Sequence, residues 1–229
     1  MEERSYNRRS ARFPHEGARH QGAGVNVAVV GGTGDFGLAL AERLVEAGHT
    51  VAVGSRDAAR AAEKAEAVGA RGAANEDAVL GVDIVVLAVK ADAALDTARS
   101  LAPAIGGTPV LSVASALRFT KAGVYPGDDP RSLAERTAEL LDAPVVAGLH
   151  SLAAASLSHG KADGDALVCG DDPDAKTLAL ELAASVVSGR ALDAGPLASA
   201  RALEGLTAVI VNLNKRYRGH AGFRVTGLP

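Results

Sequence analysis

The 229-residue chain has one cysteine, Cys169, and no tryptophan. A single cysteine excludes an intrachain disulfide and any zinc cluster built on cysteines. Aromatics make up only 3% of the residues, so the core must be assembled from Val, Leu, Ile and Ala. No apolar run approaches the roughly 20 residues that a membrane-spanning helix needs. Basic and acidic residues nearly balance, leaving a net charge of −3, and nothing suggests the clustered basic face that nucleic acid requires. Several catalytic signatures are missing too. No Tyr-x-x-x-Lys starts at Tyr6, Tyr125 or Tyr217, and neither a His-Glu-x-x-His metal motif nor a Gly-x-Ser-x-Gly elbow occurs. The expectation is a cytoplasmic protein with no metal, no membrane and no nucleic-acid partner.

What the chain does have is glycine in a telling place. Gly31 to Gly37 reads Gly-Gly-Thr-Gly-Asp-Phe-Gly, between the apolar run Val25–Val30 and the helical pattern Leu38–Ala47. Strand, glycines, then helix is the context that turns Gly32-x-Gly34-x-x-Gly37 into a dinucleotide fingerprint. The loop lets the backbone approach a pyrophosphate, Gly37 lets the helix pack on the strand, and the helix N-terminus offers N–H groups to the anion. Gly32, Thr33, Gly34, Asp35, Phe36 and Gly37 are therefore expected cofactor contacts.

From Val25 onward strands and helices alternate. Strands are expected at 50–53, 83–89, 108–113, 144–148, 166–170 and 190–193. Helices are expected from Asp57 (as cap) to about Val68, and over 91–101, 130–141, 173–187 and 196–217. The run Asp83–Val89 is apolar throughout, as a central strand buried on both faces would be. Such alternation predicts an α/β, Rossmann-type doubly wound parallel sheet, with a smaller C-terminal α/β region ending in a long helix. Leu203, Leu206, Ile210 and Leu213 form one stripe on that helix and Val209 and Val211 widen it, so it should be buried on two sides, against the core or a second subunit. Residues 1–24 are arginine-rich and aperiodic. They read as a disordered tail, or as sequence ahead of a true start at Val25. Residues 25–149 are then expected to form a nucleotide-binding domain, and residues 150–229 a smaller region that completes the site and forms a homodimer interface.

NAD-binding sites place an acid after the second strand, to hold the ribose hydroxyls. This chain instead has Gly54-Ser55-Arg56, a hydroxyl and a guanidinium suited to the 2′-phosphate of NADP, with Arg60 one helical turn on. Val89, at the end of the fourth strand, and Gly195 join the expected cofactor contacts. His150 follows the strand ending at Gly148, where the ligand crevice of an open parallel sheet lies. Two readings stand beside each other for it: a ligand contact or a hydrogen-bonded structural residue. Cys169 reads as a small core residue. The pair Asp171-Asp172 before Pro173 reads as a helix cap.

These residues carry a resemblance. From Val25 to the C-terminus the chain resembles the NADPH-dependent coenzyme F420 reductases, which are deazaflavin:NADP oxidoreductases. The matching segments are Val27–Gly37, Val53-Gly-Ser-Arg56, Cys169–Asp172, Asp193–Leu197, Leu203-Glu204, Leu206-Thr207 and Asn214–Tyr217 with His220-Ala-Gly222. The resemblance implies an oxidoreductase that moves a hydride reversibly between NADP(H) and the deazaflavin coenzyme F420. It also implies that Thr33, Ser55, Arg56 and Arg60 hold the NADP phosphate and that His150 lies near the two ring systems. Three segments depart from the family pattern: Lys90-Ala91-Asp92, Ser115-Ala116 and Ser151-Leu152-Ala153. All follow strand ends on the acceptor side. They leave room for an NADPH-dependent reductase of a flavin or other small acceptor, or for an NADP-binding redox sensor without turnover.

Overall fold

The computed structural model describes residues 24–228, so the tail expected at 1–24 lies, apart from Gly24, outside the described residues. The chain begins with β1 (Asn26–Val30), α1 (Asp35–Glu46), β2 (Thr50–Ser55), α2 (Ala58–Glu66), β3 (Arg71–Ala74) and α3 (Asn75–Ala78). It continues with β4 (Ile84–Leu87), α4 (Ala91–Ile105), β5 (Val110–Ser112), β6 (Leu117–Thr120), β7 (Gly123–Pro126), α5 (Leu133–Ala138) and β8 (Val145–Gly148). After α6 (Ala154–Leu157) come β9 (Ala166–Gly170), α7 (Pro173–Val186), β10 (Ala191–Asp193) and α8 (Ala200–Tyr217), the last preceded by a 3-10 turn at Leu197–Ser199.

One eight-stranded sheet runs β10-β9-β8-β5-β4-β1-β2-β3, and β6 and β7 form a separate hairpin. All its pairings are parallel except β8 with β9. After Gly148 the chain loops back through α6, which reverses β9. The C-terminal strands thus extend the same sheet that begins at β1. Side chains alternate across it. Val27, Val29, Ile84 and Val86 meet Leu40 and Leu44 of α1 and Leu178 and Leu182 of α7 on one face. Ala28, Val30, Val85 and Leu87 meet Ala98 and Leu101 of α4 and Leu203 of α8 on the other. Helices cover both faces, so this is a doubly wound Rossmann-type fold. Each fully buried Leu or Val contributes about 1.5–3 kcal/mol.

The strand order reverses between β1 and β4, because β1 leads to β2 and β3 on one side while β4 leads to β5 and β8 on the other. The carboxyl ends of β1 and β4 therefore open a crevice. Local chemistry holds the elements that border it. Asp57 Oδ1 accepts from Arg60 N at 3.1 Å and caps α2. Asp172 Oδ1 accepts from Ala175 N at 2.8 Å and caps α7, with Pro173 in its first turn. Each such cap is worth about 1 kcal/mol. The helix expected over 130–141 is shorter, because Ser132 and Glu135 form a capping box that starts it at Leu133. The expected stripe on α8 is also revised. Its buried residues are Ala200, Leu203, Glu204, Ala208 and Ile210, whereas Val209 and Leu213 are exposed.

Candidate functional site

The glycine loop is shaped by close contact. Gly31 has φ +77°, a left-handed conformation, and a Cβ there would lie 2.7 Å from Val89 Cγ1 and 2.9 Å from Ala88 O. A Cβ on Gly37 would lie 2.7 Å from Gly32 Cα, so glycine alone lets α1 pack this tightly. Gly32 is buried behind the loop, where Gly32 N donates to Gly54 O at 3.1 Å and ties β1 to β2. α1 then starts at Asp35, with Gly34 at its cap position and no side chain over its first N–H groups.

A cleft of about 1010 Å³ opens in front of this loop. Val89, beyond β4, lies at one side of it, Gly31, Thr33 and Gly34, beyond β1, in the middle, and Ser55, Arg56 and Arg60, at and beyond the end of β2, at the other. Arg56 and Arg60 are exposed cations. Asp57, the acid that follows Arg56 in the chain, has its carboxylate committed to the α2 cap, and Ser55 Oγ accepts from Asp57 N at 3.2 Å. The carboxylate that would hold a free ribose 2′-hydroxyl is thus turned into the helix, while two guanidiniums face the cleft. That is the electrostatics of a 2′-phosphate site. The uncapped helix, the loop that a Cβ would fill and the paired arginines together fit NADP.

Sequence reasoning missed one wall of this cleft. Asn75 and Glu76 line it from α3. Asn75 is buried, with Oδ1 unpartnered, and a Cβ on Gly54 would lie 2.8 Å from that oxygen. A side chain at Gly54 would push the Asn75 amide from its present place. Two expected contacts lie elsewhere. Asp35 is exposed on the first turn of α1 and borders neither cavity. Gly195 sits beyond β10, where its carbonyl accepts from Gly170 N at 3.0 Å and its N–H donates to Asp193.

A smaller cavity of about 240 Å³ adjoins the cleft and shares Val89 and Lys90 with it. Phe36, Ser115, Leu117, His150, Leu152 and Thr207 are among its walls. His150 is 5% exposed, and neither ring nitrogen has a hydrogen-bond partner. Burial holds its pKa down at about 4, although the nearby Ala114 carbonyl acts weakly the other way. It is therefore a neutral imidazole at neutral pH, free to donate from one nitrogen and accept at the other. Leu149 before it has φ +63°, a strained conformation for a bulky residue, and this fixes where the His150 backbone points.

The helix α8 holds the far wall. Thr207 Oγ1 donates to His150 O at 2.9 Å, so in its 2.8 Å bond to Ser115 Oγ the serine is the donor. One turn earlier Glu204, wholly buried, accepts from Leu133 N at 2.6 Å, Ala134 N at 3.4 Å and Ala116 N at 3.4 Å. Burial raises its pKa to about 7 against those hydrogen bonds and the Arg201 charge. Cys169, in contrast, is a core residue of β9, its thiol pushed up to about 12 by burial.

The family profile described as "NADP oxidoreductase coenzyme F420-dependent" matches residues 26–116. The F420-dependent NADP reductase of Methanothermobacter marburgensis is 35% identical over 90% of this chain and 100% of its own length. The chain belongs to the F420-dependent NADP reductase family. The enzyme of that name from Methanocaldococcus jannaschii is 32% identical over 89% of this chain and 99% of its own. A crystal structure from Arthrobacter sp. FB24, of a protein proposed to be an F420-dependent NADP-reductase, superposes with a TM-score of 0.75 at 24% identity. It covers 90% of this chain and all of that one, and supports the fold. Among the described residues, no helix of this family member is long and apolar enough to cross a membrane.

Proposed function

We propose that this chain transfers a hydride reversibly between NADP(H) and the deazaflavin coenzyme F420, as a cytoplasmic homodimer. The observation that carries the reading is the junction of two cavities at Val89 and Lys90. The larger cleft runs from that junction to Arg56 and Arg60, which puts an NADP phosphate site at one end and leaves the other end for the nicotinamide. The smaller cavity begins where the cleft ends, so an acceptor ring there adjoins the donor ring. Holding two rings in register recovers much of the barrier through proximity and orientation.

The bound coenzymes supply the hydride chemistry. The protein's own groups do the rest. Gly31 and Gly34 hold backbone close to the pyrophosphate, with Thr33 beside them, and Arg56 and Arg60 select the 2′-phosphate. Phe36, Leu117 and Leu152 give the smaller cavity an apolar lining that keeps water from the transfer path. His150, neutral and unpartnered, offers a hydrogen bond to ring heteroatoms without a competing charge. No covalent step or proton relay through a side chain is needed.

The division of labour follows the chain. Residues 25–149 hold NADP, and residues 150–229 supply His150, Thr207 and the outer face of α8. On that face Val209, Leu213 and Tyr217, four residues apart, are exposed, which supports a second copy covering them. Lys90 and Ser115 both line the smaller cavity and both depart from the family's usual residues, which favours a related small acceptor as the second reading. Rapid mixing of the protein with NADPH and oxidised deazaflavin tests the assignment. Loss of the deazaflavin's visible band in step with NADPH oxidation is the expected result. Tight NADPH binding with an unchanged band would refute it.

A further inference from the structure

Hydride transfer adds an electron pair to the acceptor ring, so the smaller cavity must accommodate one more negative charge in the reduced state than in the oxidised one. The groups around it are unequal to that task. His150 is neutral because it is buried, and Ser115 and Thr207 are already bonded to each other. Lys90 is the one charged residue among the described residues lining the cavity. It makes no ion pair with a described residue, unlike Lys176, which meets Asp193 at 3.0 Å. The carboxylates nearest in sequence, Asp92 and Asp96, line only the larger cleft.

Lys90 also occupies the cap position of α4, a helix of 15 residues with no side-chain cap at its N-terminus. Ala91, the first residue of that helix, lines the cavity as well. The positive end of the helix dipole and the ammonium therefore act in the same place. A second feature marks the cavity as built for a polar occupant: His150 is 95% buried by the complement of its 5% exposure, and both its nitrogens are unpartnered.

We propose that Lys90 and the uncapped N-terminus of α4 form an electropositive wall of the acceptor cavity that holds the reduced deazaflavin more tightly than the oxidised one. The inference rests on the hydride-transfer reading and deepens it. In the forward step the C–H bond of the reduced nicotinamide breaks, and its electron pair forms the new C–H bond on the deazaflavin ring. NADPH becomes NADP⁺, and the ring keeps the charge delivered with the hydride as an anion beside the ammonium, with no proton transferred in this step. The ammonium is not consumed. It opposes the charge that develops on the ring, which favours the transition state and the product over the oxidised ring. In the reverse direction the same wall slows release of the hydride, so Lys90 biases the direction of the bound reaction.

The test is a binding measurement on the full chain. Dissociation constants for oxidised and, under anaerobic conditions, reduced deazaflavin are measured by calorimetry for the wild type, Lys90→Met and Lys90→Arg. Any charge on the coenzyme outside its ring is common to both oxidation states, so the ratio of the two constants isolates the ring. Lys90→Met keeps the aliphatic stem and should weaken the reduced form about tenfold while moving the oxidised form less than about twofold. Lys90→Arg should retain the wild-type ratio. Lys90 is exposed, so both variants should keep the wild-type melting temperature. Equal weakening of both oxidation states would overturn the proposal while leaving the hydride reading intact. An equal loss in NADPH affinity would instead assign the ammonium to the pyrophosphate and overturn it too. A wild-type protein that binds neither form of the deazaflavin would overturn the hydride reading, and this proposal with it.

Discussion

Two buried titratable groups, His150 in the wall of the acceptor cavity and Glu204 behind it on α8, drive stability in opposite directions as the pH changes. His150 titrates at about 4 in the folded protein against 6.5 when exposed. The unfolded chain thus binds this proton first as pH falls, and the contribution of His150 to stability, complete above 6.5, is lost as pH falls toward 4. Glu204 titrates at about 7 when folded against 4.5 when exposed. Here the folded protein binds the proton first, so its contribution is complete below 4.5 and is lost as pH rises to 7. Each difference is worth about 3 kcal/mol when converted through the linkage relation.

Across most of this window the two effects cancel, and wild-type stability should show little slope from this pair. Removing one member exposes the other. In Glu204→Gln the His150 term stands alone, so stability relative to wild type should fall by about 3 kcal/mol as pH drops from 7 to 4.5. In His150→Gln the sign reverses, and stability relative to wild type should rise by a similar amount over the same range. Urea unfolding at a series of pH values and fixed salt reads both, and the difference from wild type cancels the other titrating groups. A Glu204→Gln curve parallel to wild type would refute the assignment of a protonated Glu204 near neutrality. A His150→Gln curve parallel to wild type would do the same for the neutral, desolvated imidazole.

Arg56→Ala should weaken NADPH binding by roughly ten- to a hundredfold, the loss expected for a charge-assisted hydrogen bond, while leaving NADH nearly untouched. Equal losses measured for the two nucleotides would remove the 2′-phosphate from this arginine. Leu213→Glu places a charge in the exposed stripe of α8 and should convert a dimer into monomers that retain NADPH binding. Sedimentation velocity reads this, and a monomeric wild type would end the homodimer reading.

Most of the nucleotide half of the fold could be read from the residues alone. A strand, glycines and a helix at Val25–Ala47, an Asp57 cap and a wholly apolar run at Asp83–Val89 are local signals, and each is where the structure has the element. The edges were not legible, for a physical reason. β3 is Arg-Gly-Ala-Ala, with no β-branched residue, and is a strand only because Ala52 to Ser55 of β2 pair with it. With β3 missed, α3 and Asn75 were missed as well. The β6–β7 hairpin buries only Val124 among its strand residues: Phe119 is 72% exposed, and Asn212 of α8 secures the hairpin by bonding both N and O of Val124. Ser132-Leu-Ala-Glu135 did carry a readable signal, a capping box that would have placed the start of α5 correctly. On the acceptor side the glycine-loop logic has no counterpart: Lys90 stands out in the sequence only as a departure from the family pattern at a strand end, and the place of Thr207 beside Ser115 and His150 emerges only when the chain is folded.

Glu204 shows what such a hidden signal looks like. It lies four residues from Ala200 and from Ala208, both buried, so it stands on the inward stripe of α8 where a carboxylate is costly. A carboxylate in that position needs donors, and it takes them from Ala116, beside the acceptor cavity, and from Leu133 and Ala134 at the start of α5. Thr207, nearly one turn on, binds Ser115 and the His150 carbonyl. A single helix thus secures both segments that form the acceptor wall. The same helix exposes Val209, Leu213 and Tyr217 on its outer side. The larger cleft takes no wall from α8. The exposed outer stripe and the wall of the acceptor cavity are thus two sides of one helix, and that helix takes no part in the larger cleft.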